Sequence, residues 1–196
     1  MGVSTKGLSF AVSMGALGNV LAAITIAPTM IRQVALDFSS LPVFIAGVFG
    51  GPLVGALTGI LAGILPSAFF GFVGGQLGVL GFGTSIGKAI SGFSVGLLVR
   101  VVKSSQSRTA FLIPIVLLAF VPEAVWIYVL FTAFIPVLIP NQAFLSAFAV
   151  PILTKAWFEI AVMSVFTSAI AGHSGFRAFL GRYVQTTTFQ RLQTDY

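Results

Sequence analysis

The tightest constraint on this chain is its shortage of charge. Only 7% of its 196 residues are Asp, Glu, Lys or Arg, while 57% are hydrophobic. Soluble domains carry about 25% charged residues. A water-soluble fold of this length would lack the polar side chains to cover its surface, so the apolar surface is expected to face lipid. Backbone polar groups cannot go unsatisfied in hydrocarbon, so each span is expected to be a helix. The length suits one domain of five or six spans, with no room for a soluble enzyme domain.

The fold expected is therefore an all-α integral membrane protein. Apolar runs place helices at about 8–27, 84–102, 110–135 and 150–172. The segment from Leu41 to Leu65 is open to two readings. It is long enough for one tilted, kinked span. Gly50-Gly51-Pro52 in its middle also permits a tight turn between two short helices, 41–50 and 52–65. Ser39 or Ser40 can cap the first of these, with Pro42 in its first turn. Residues 28–40, 66–84 and 136–150 read as loops. The N-terminal run lacks a small-residue cleavage motif and reads as the first span.

The net charge of +6 comes from basic residues in loops and tails, notably Arg100, Lys103, Arg108, Arg177, Arg182 and Arg191. That asymmetry is a topology signal that puts loop 100–108 and the C-terminal tail in the cytoplasm, and no nucleic-acid partner is expected. The absence of cysteine removes disulfides, zinc–thiolate sites and thiol nucleophiles. His173 is the single histidine, which argues against an imidazole-built metal site. Neither metal nor cofactor is expected.

Four ionisable residues fall inside the expected spans: Lys88, Glu123, Lys155 and Glu159. A charge at the bilayer centre costs roughly 2.5–3.5 kcal/mol even on the lenient scale. Such groups face an interior or a wet cavity and are functional candidates. Lys155 and Glu159, at i and i+4, share a helix face and can pair. Glu123 and Trp126, at i and i+3, also share a face. Trp157 points away from Lys155, toward lipid or a neighbour. Two Lys–Glu pairs would form a neutral structural network. With Trp126 they would equally suit a pocket for a flat polar molecule.

Small residues recur at four-residue spacing in Gly47, Gly51, Gly55, Gly59 and Gly63, and again in Ala11, Gly15, Ala23 and Ala27, with Asn19 between. Such stripes admit a second backbone, either from this chain or from another membrane subunit. Two further motifs do not hold up. Residues 82–88 fail as a phosphate-binding loop because Phe82 and Ala89 stand at defining positions. Gly83-Thr84-Ser85-Ile86-Gly87 matches a serine-hydrolase elbow, as in a rhomboid-like protease. Its base would have to be His173, which is expected about 25–30 Å away across the membrane.

The stretch Leu36-Asp37-Phe38-Ser39-Ser40-Leu41-Pro42, followed by Gly51-Pro52-Leu53-Val54-Gly55, resembles the S-components of energy-coupling factor (ECF) vitamin transporters. The length, the six apolar segments and Lys155 soon after Pro151 are similar too. The resemblance implies six helices with both termini cytoplasmic in a prokaryotic cell membrane. It implies high-affinity capture of a vitamin or cofactor precursor, riboflavin-like or otherwise flat and polar, with no chemistry in this chain. The candidate binding residues are Lys155, Glu159, Glu123, Trp126, Lys88 and Asn19, with Arg32 and Asp37 in a covering loop. It further implies a transmembrane T-component docked on Ala11, Gly15, Ala23 and Ala27, and two cytoplasmic ATPases. The alternative is a ligand-free membrane scaffold.

Overall fold

A computed structural model describes residues 3–29, 37–69, 78–102, 109–138, 147 and 149–183. Every regular element among them is helical. In order they are α1 (Thr5–Thr29), α2 (Ser40–Gly50), α3 (Pro52–Ala62), α4 (Ile64–Ser67), α5 (Gly78–Val101), α6 (Leu112–Val129), α7 (Ile135–Leu138), α8 (Ala149–Gly172) and α9 (Ser174–Tyr183). Four stretches are long and apolar enough to cross a membrane: Thr5–Ile26, Gly81–Val101, Leu112–Val137 and Ala149–Gly172. Bulky apolar side chains such as Ile24, Leu118, Val125, Phe158 and Val165 line their outer faces. Water would penalise that surface, whereas hydrocarbon does not.

Segment 41–65 is a hairpin. Gly51 takes φ +85°, a conformation that strains any residue with a side chain. Pro52 opens α3, where its missing N–H costs nothing. Helix α2 runs only 11 residues, or about 16 Å. That is short against a hydrocarbon core of about 30 Å. It packs against α1, α3, α5 and α8, and nearly all of its residues are buried. An apolar helix with no polar face belongs inside a bundle, and α2 is the central element here. Phe44 and Phe49 of α2 join Val95, Val99, Val116, Phe120 and Met163 in the core.

Glycines set how closely α3 meets α5. A side-chain carbon at Gly55 would overlap the Gly92 carbonyl, one at Gly59 the Lys88 carbonyl, and one at Gly63 the Ser85 backbone. The 47–63 glycine stripe is thus consumed within the chain.

The stripe on α1 does not form one face. Ala11 and Gly15 are buried, and Gly15 lies against Leu61. Ala23 is exposed, and the Ala27 side chain lies outside the described residues. A four-residue step advances a helix by about 40° beyond a full turn. Three steps therefore rotate Ala23 about 120° from Ala11.

Three boundaries differ from expectation. Helix α5 starts at Gly78 and α4 occupies 64–67, so much of the expected 66–84 loop is helical. Helix α6 continues through a π-helical turn, Leu130–Phe134, into α7. Pro136 explains the widening: it cannot donate, and its ring presses on the turn before it. The basic tail begins as α9, whose Phe176 meets Phe49 edge-on at 5.8 Å between ring centroids.

Candidate functional site

The break between α3 and α4 comes first, because it accounts for one expected binding residue. Pro66 cannot donate to the Ala62 carbonyl, so the helical ladder opens there. The Asn19 carboxamide of α1 fills the gap. Its Nδ2 donates to the Leu61 carbonyl at 2.8 Å, and its Oδ1 accepts from the Leu65 N–H at 2.9 Å. These are the two groups of the missing 61–65 rung. Nδ2 also reaches the Gly15 carbonyl at 3.1 Å. Asn19 is therefore committed to backbone, as irregular helix at membrane depth requires. Gly18 allows the approach, because a side-chain carbon there would meet Ala62.

The buried charges gather elsewhere, where α5, α6 and α8 face the start of α2. Helix α5 supplies Lys88, which begins about 15 Å from the Gly78 end. That is deeper than a helix starting at 84 implied, and it matches Glu159, about 15 Å into α8. The Lys88 ammonium donates to Asp37 Oδ2 at 2.9 Å and to Ser40 Oγ at 2.8 Å. Its residue is 3% exposed.

Asp37 closes a tight turn by accepting the Ser39 N–H on Oδ1 at 2.9 Å. Burial works against its ionisation, but the Lys88 charge and the hydrogen bonds from Ser39 and Lys88 outweigh it. The Asp37 carboxyl therefore titrates below its ordinary value. Its own N–H donates to Glu159 Oε1 at 3.0 Å. The same oxygen pairs with Lys155 Nζ at 3.3 Å. Asp37 thus joins the two lysines into one network.

Helix α6 adds Glu123 and Trp126. Glu123 Oε2 accepts the Ser91 hydroxyl of α5. Its other oxygen lies against Gly87, the residue before Lys88, so Glu123 stands beside the same cluster. Glu123 Oε1 and Trp126 Cδ1 both pack closely on Gly87, where an added side-chain carbon would lie only 3.0 Å and 3.4 Å from them. The Trp126 indole N–H donates to the Gly83 carbonyl at 2.9 Å, and its ring lies 5.9 Å from that of Phe134.

The structure thus brings together Lys88, Glu123, Trp126, Lys155, Glu159 and Asp37. It keeps Asn19 apart on α1, and Arg32 lies outside the described residues. Of the two Lys–Glu pairs expected, only Lys155–Glu159 forms. Lys88 pairs with Asp37 instead, so that residue of the irregular segment before α2 joins the cluster. The hydroxyls of Ser40 and Ser91 were missed. Ser91 follows Lys88 by three residues on one face and was open to local reasoning. Nothing local links Ser40 to Lys88. Among the described residues the buried Ser39 hydroxyl has no partner. Trp157 sits edge-on to Phe120 at 5.0 Å, away from the cluster.

Ser85 and His173 are engaged separately. Ser85 Oγ pairs with Ser67 Oγ at 3.0 Å. His173 Nδ1 accepts the Phe176 N–H at 3.2 Å, capping α9. Among the described residues no group of three or more His, Cys, Asp or Glu could hold a metal ion. Comparison with protein-family models, curated proteins and solved structures finds no match to this chain.

Proposed function

We propose that this chain is the substrate-capture subunit of an ATP-driven uptake transporter for a small organic molecule of the vitamin or cofactor-precursor kind. The observation that carries the reading is the joining of Lys88, Asp37, Glu159 and Lys155 into one bonded network inside the bundle, with Glu123 on the Ser91 hydroxyl one turn along α5 from Lys88. Isolated charges in hydrocarbon are costly, and grouped ones mark a polar interior that a ligand can use. Lys155 is the accessible member, with 29% of its side chain exposed and one ion-pair partner. It would meet the ligand first, with Glu159, Glu123 and Trp126 behind it.

In this reading the four long helices and the 40–67 hairpin make six passes of the cell membrane with both termini cytoplasmic. Arg100 and the basic tail support that orientation. The energy would come from ATPase subunits through a transmembrane partner.

The test is ligand binding by purified protein. Co-purified small molecules, identified by mass spectrometry, should be present in the native protein. Lys155→Ala should weaken their binding at least tenfold, about 1.4 kcal/mol. Unchanged affinity would assign the lysine a structural role.

One observation favours a second reading, a ligand-free scaffold. The Lys88–Asp37–Ser40 half of the network satisfies itself, as a purely structural cluster would. A protein that always purifies empty would support that reading.

A further inference from the structure

Charge divides this bundle end from end. The sequence holds ten basic and four acidic residues. Three of the acids, Asp37, Glu123 and Glu159, belong to or border the buried cluster. Glu123 lies about 17 Å from the start of α6, while Glu159 and Lys88, which holds Asp37, lie about 20 Å from the ends of α8 and α5. The fourth acid, Asp195, is in the tail beyond the described residues.

The end of the bundle marked by the α2–α3 turn is basic. The Arg100 guanidinium lies over Gly51 in that turn. Gly7, next to Lys6, packs against Val54 at the start of α3. Phe176, next to Arg177, meets Phe49 at the end of α2. Lys6 and Arg100 are exposed, and Arg177 is half-buried. Arg182 lies on the same helix as Arg177. Lys103 and Arg108 belong to the connection between this end of α5 and the start of α6.

Helix α9 crosses this end. A helix that simply prolonged α8 would run clear of the bundle, but the chain leaves helical conformation at His173 and turns back. Phe176 then packs on Phe49, and Leu180 is 1% exposed in the same core. Residues 176, 179, 180 and 183 keep the i, i+3, i+4, i+7 spacing of one apolar face. At about 100° per residue, positions 177 and 182 each stand about 60° beyond one edge of that face. Phe179, at the edge nearest position 182, is 54% exposed.

Basic positions flanking an apolar face, with one aromatic ring turned outward, suit the boundary between headgroups and acyl chains. Water would penalise Phe179, and the acyl layer would not. An acidic phospholipid brings both parts to one place: an anionic head for the basic positions and a chain for the ring. A soluble anion supplies only the first. The excess of positive charge at this end favours a net negative headgroup over a zwitterionic one.

We infer that α9 is an interfacial helix that seats an acidic phospholipid of the adjoining leaflet, with the basic positions 177 and 182 serving the headgroup and Phe179 the acyl layer. The inference goes beyond substrate capture and holds equally for a scaffold.

The test titrates the full chain in dodecyl maltoside with dioleoylphosphatidylglycerol and, separately, with dioleoylphosphatidylcholine, and counts retained lipid by native mass spectrometry. The expected result is saturable binding of the acidic lipid, at least about tenfold tighter than of the zwitterionic one, or about 1.4 kcal/mol. The preference should shrink as salt rises. Arg177→Gln combined with Arg182→Gln should cut it to about threefold or less. Lys103→Gln combined with Arg108→Gln removes as much charge outside α9 and should leave most of it. Phe179→Ser should weaken both lipids and keep the preference between them. Glycerol 3-phosphate, a headgroup without chains, should fail to displace the lipid even in large excess.

Equal affinity for the two lipids would overturn the inference and leave the basic end to a protein partner. An equal loss in the Lys103 and Arg108 variant would overturn it by assigning the preference to net charge. Displacement by glycerol 3-phosphate would make this a free-anion site, and unchanged binding in Phe179→Ser would remove the acyl contact; either result sinks the proposal. Should the double arginine variant fail to fold, those last two arms still decide.

Discussion

Lys88 and Lys155 belong to one network and are held in opposite ways. The Lys88 side chain is 4% exposed and bonds Asp37 and Ser40, which lie in a distant segment. Its own carbonyl is pressed against Gly59. Lys155 is more open, and its single partner sits one turn away on the same helix at 3.3 Å. The first pair exists only in the assembled bundle, because Asp37 precedes α2 while Lys88 lies on α5. The second needs only helix α8. A contact that depends on assembly belongs to the fold, while one that forms locally at an accessible position is free to serve a ligand.

The largest test of this contrast is Lys88→Met. Removing one member of a buried pair leaves a charge without compensation and costs about 3–5 kcal/mol. Chemical denaturation in detergent should register that loss. The double variant Lys88→Met with Asp37→Leu should recover much of it, because no lone charge remains. The sign in acid follows from the depressed Asp37 value. Its contribution is complete above the ordinary carboxylate range and is lost only as pH falls through the lowered value.

Asn19→Leu comes next, since it orphans the Leu61 carbonyl and the Leu65 N–H. Leaving buried polar groups unpaired costs about 1–3 kcal/mol. Ligand affinity should hold after this change, because Asn19 lies outside the charge cluster. A loss of affinity at full stability would return it to the site.

Gly59→Val probes the same contrast through packing alone. It forces α3 from α5 at the Lys88 carbonyl, and overpacking of this kind costs about 1–3 kcal/mol. A stability effect well below that of Lys88→Met is expected for Lys155→Ala, because the lysine is part-exposed and the buried Glu159 carboxylate keeps the Asp37 N–H as a partner. Its signature is lost affinity at near-normal melting. A stability loss as large as that of Lys88→Met would erase the distinction between the two lysines.

Several features were legible before any coordinates. The scarcity of charge required lipid-facing helices, and the apolar runs placed the long ones within a few residues, except the start of α5. Gly51-Pro52 allowed a reversal, since glycine permits a tight turn and proline opens a helix freely, but left a single kinked span equally open. Lys155 and Glu159 were paired by their spacing alone. Each of these follows from composition or from neighbours within one turn of chain.

Tertiary structure decided the rest. Asp37 meets Lys88, Glu123 meets Ser91, and Asn19 enters a broken rung of another helix. Each contact joins segments whose spacing in sequence carries no period. The α1 stripe shows the limit within a single helix. The four-residue step through Ala11, Gly15, Asn19, Ala23 and Ala27 suggests one face, but a pitch of 3.6 residues turns it steadily around the axis. Local chemistry determines what a segment can become. Which side chains share a buried space depends on how finished helices pack, and close glycine contacts such as that of Gly59 with Lys88 settle that packing.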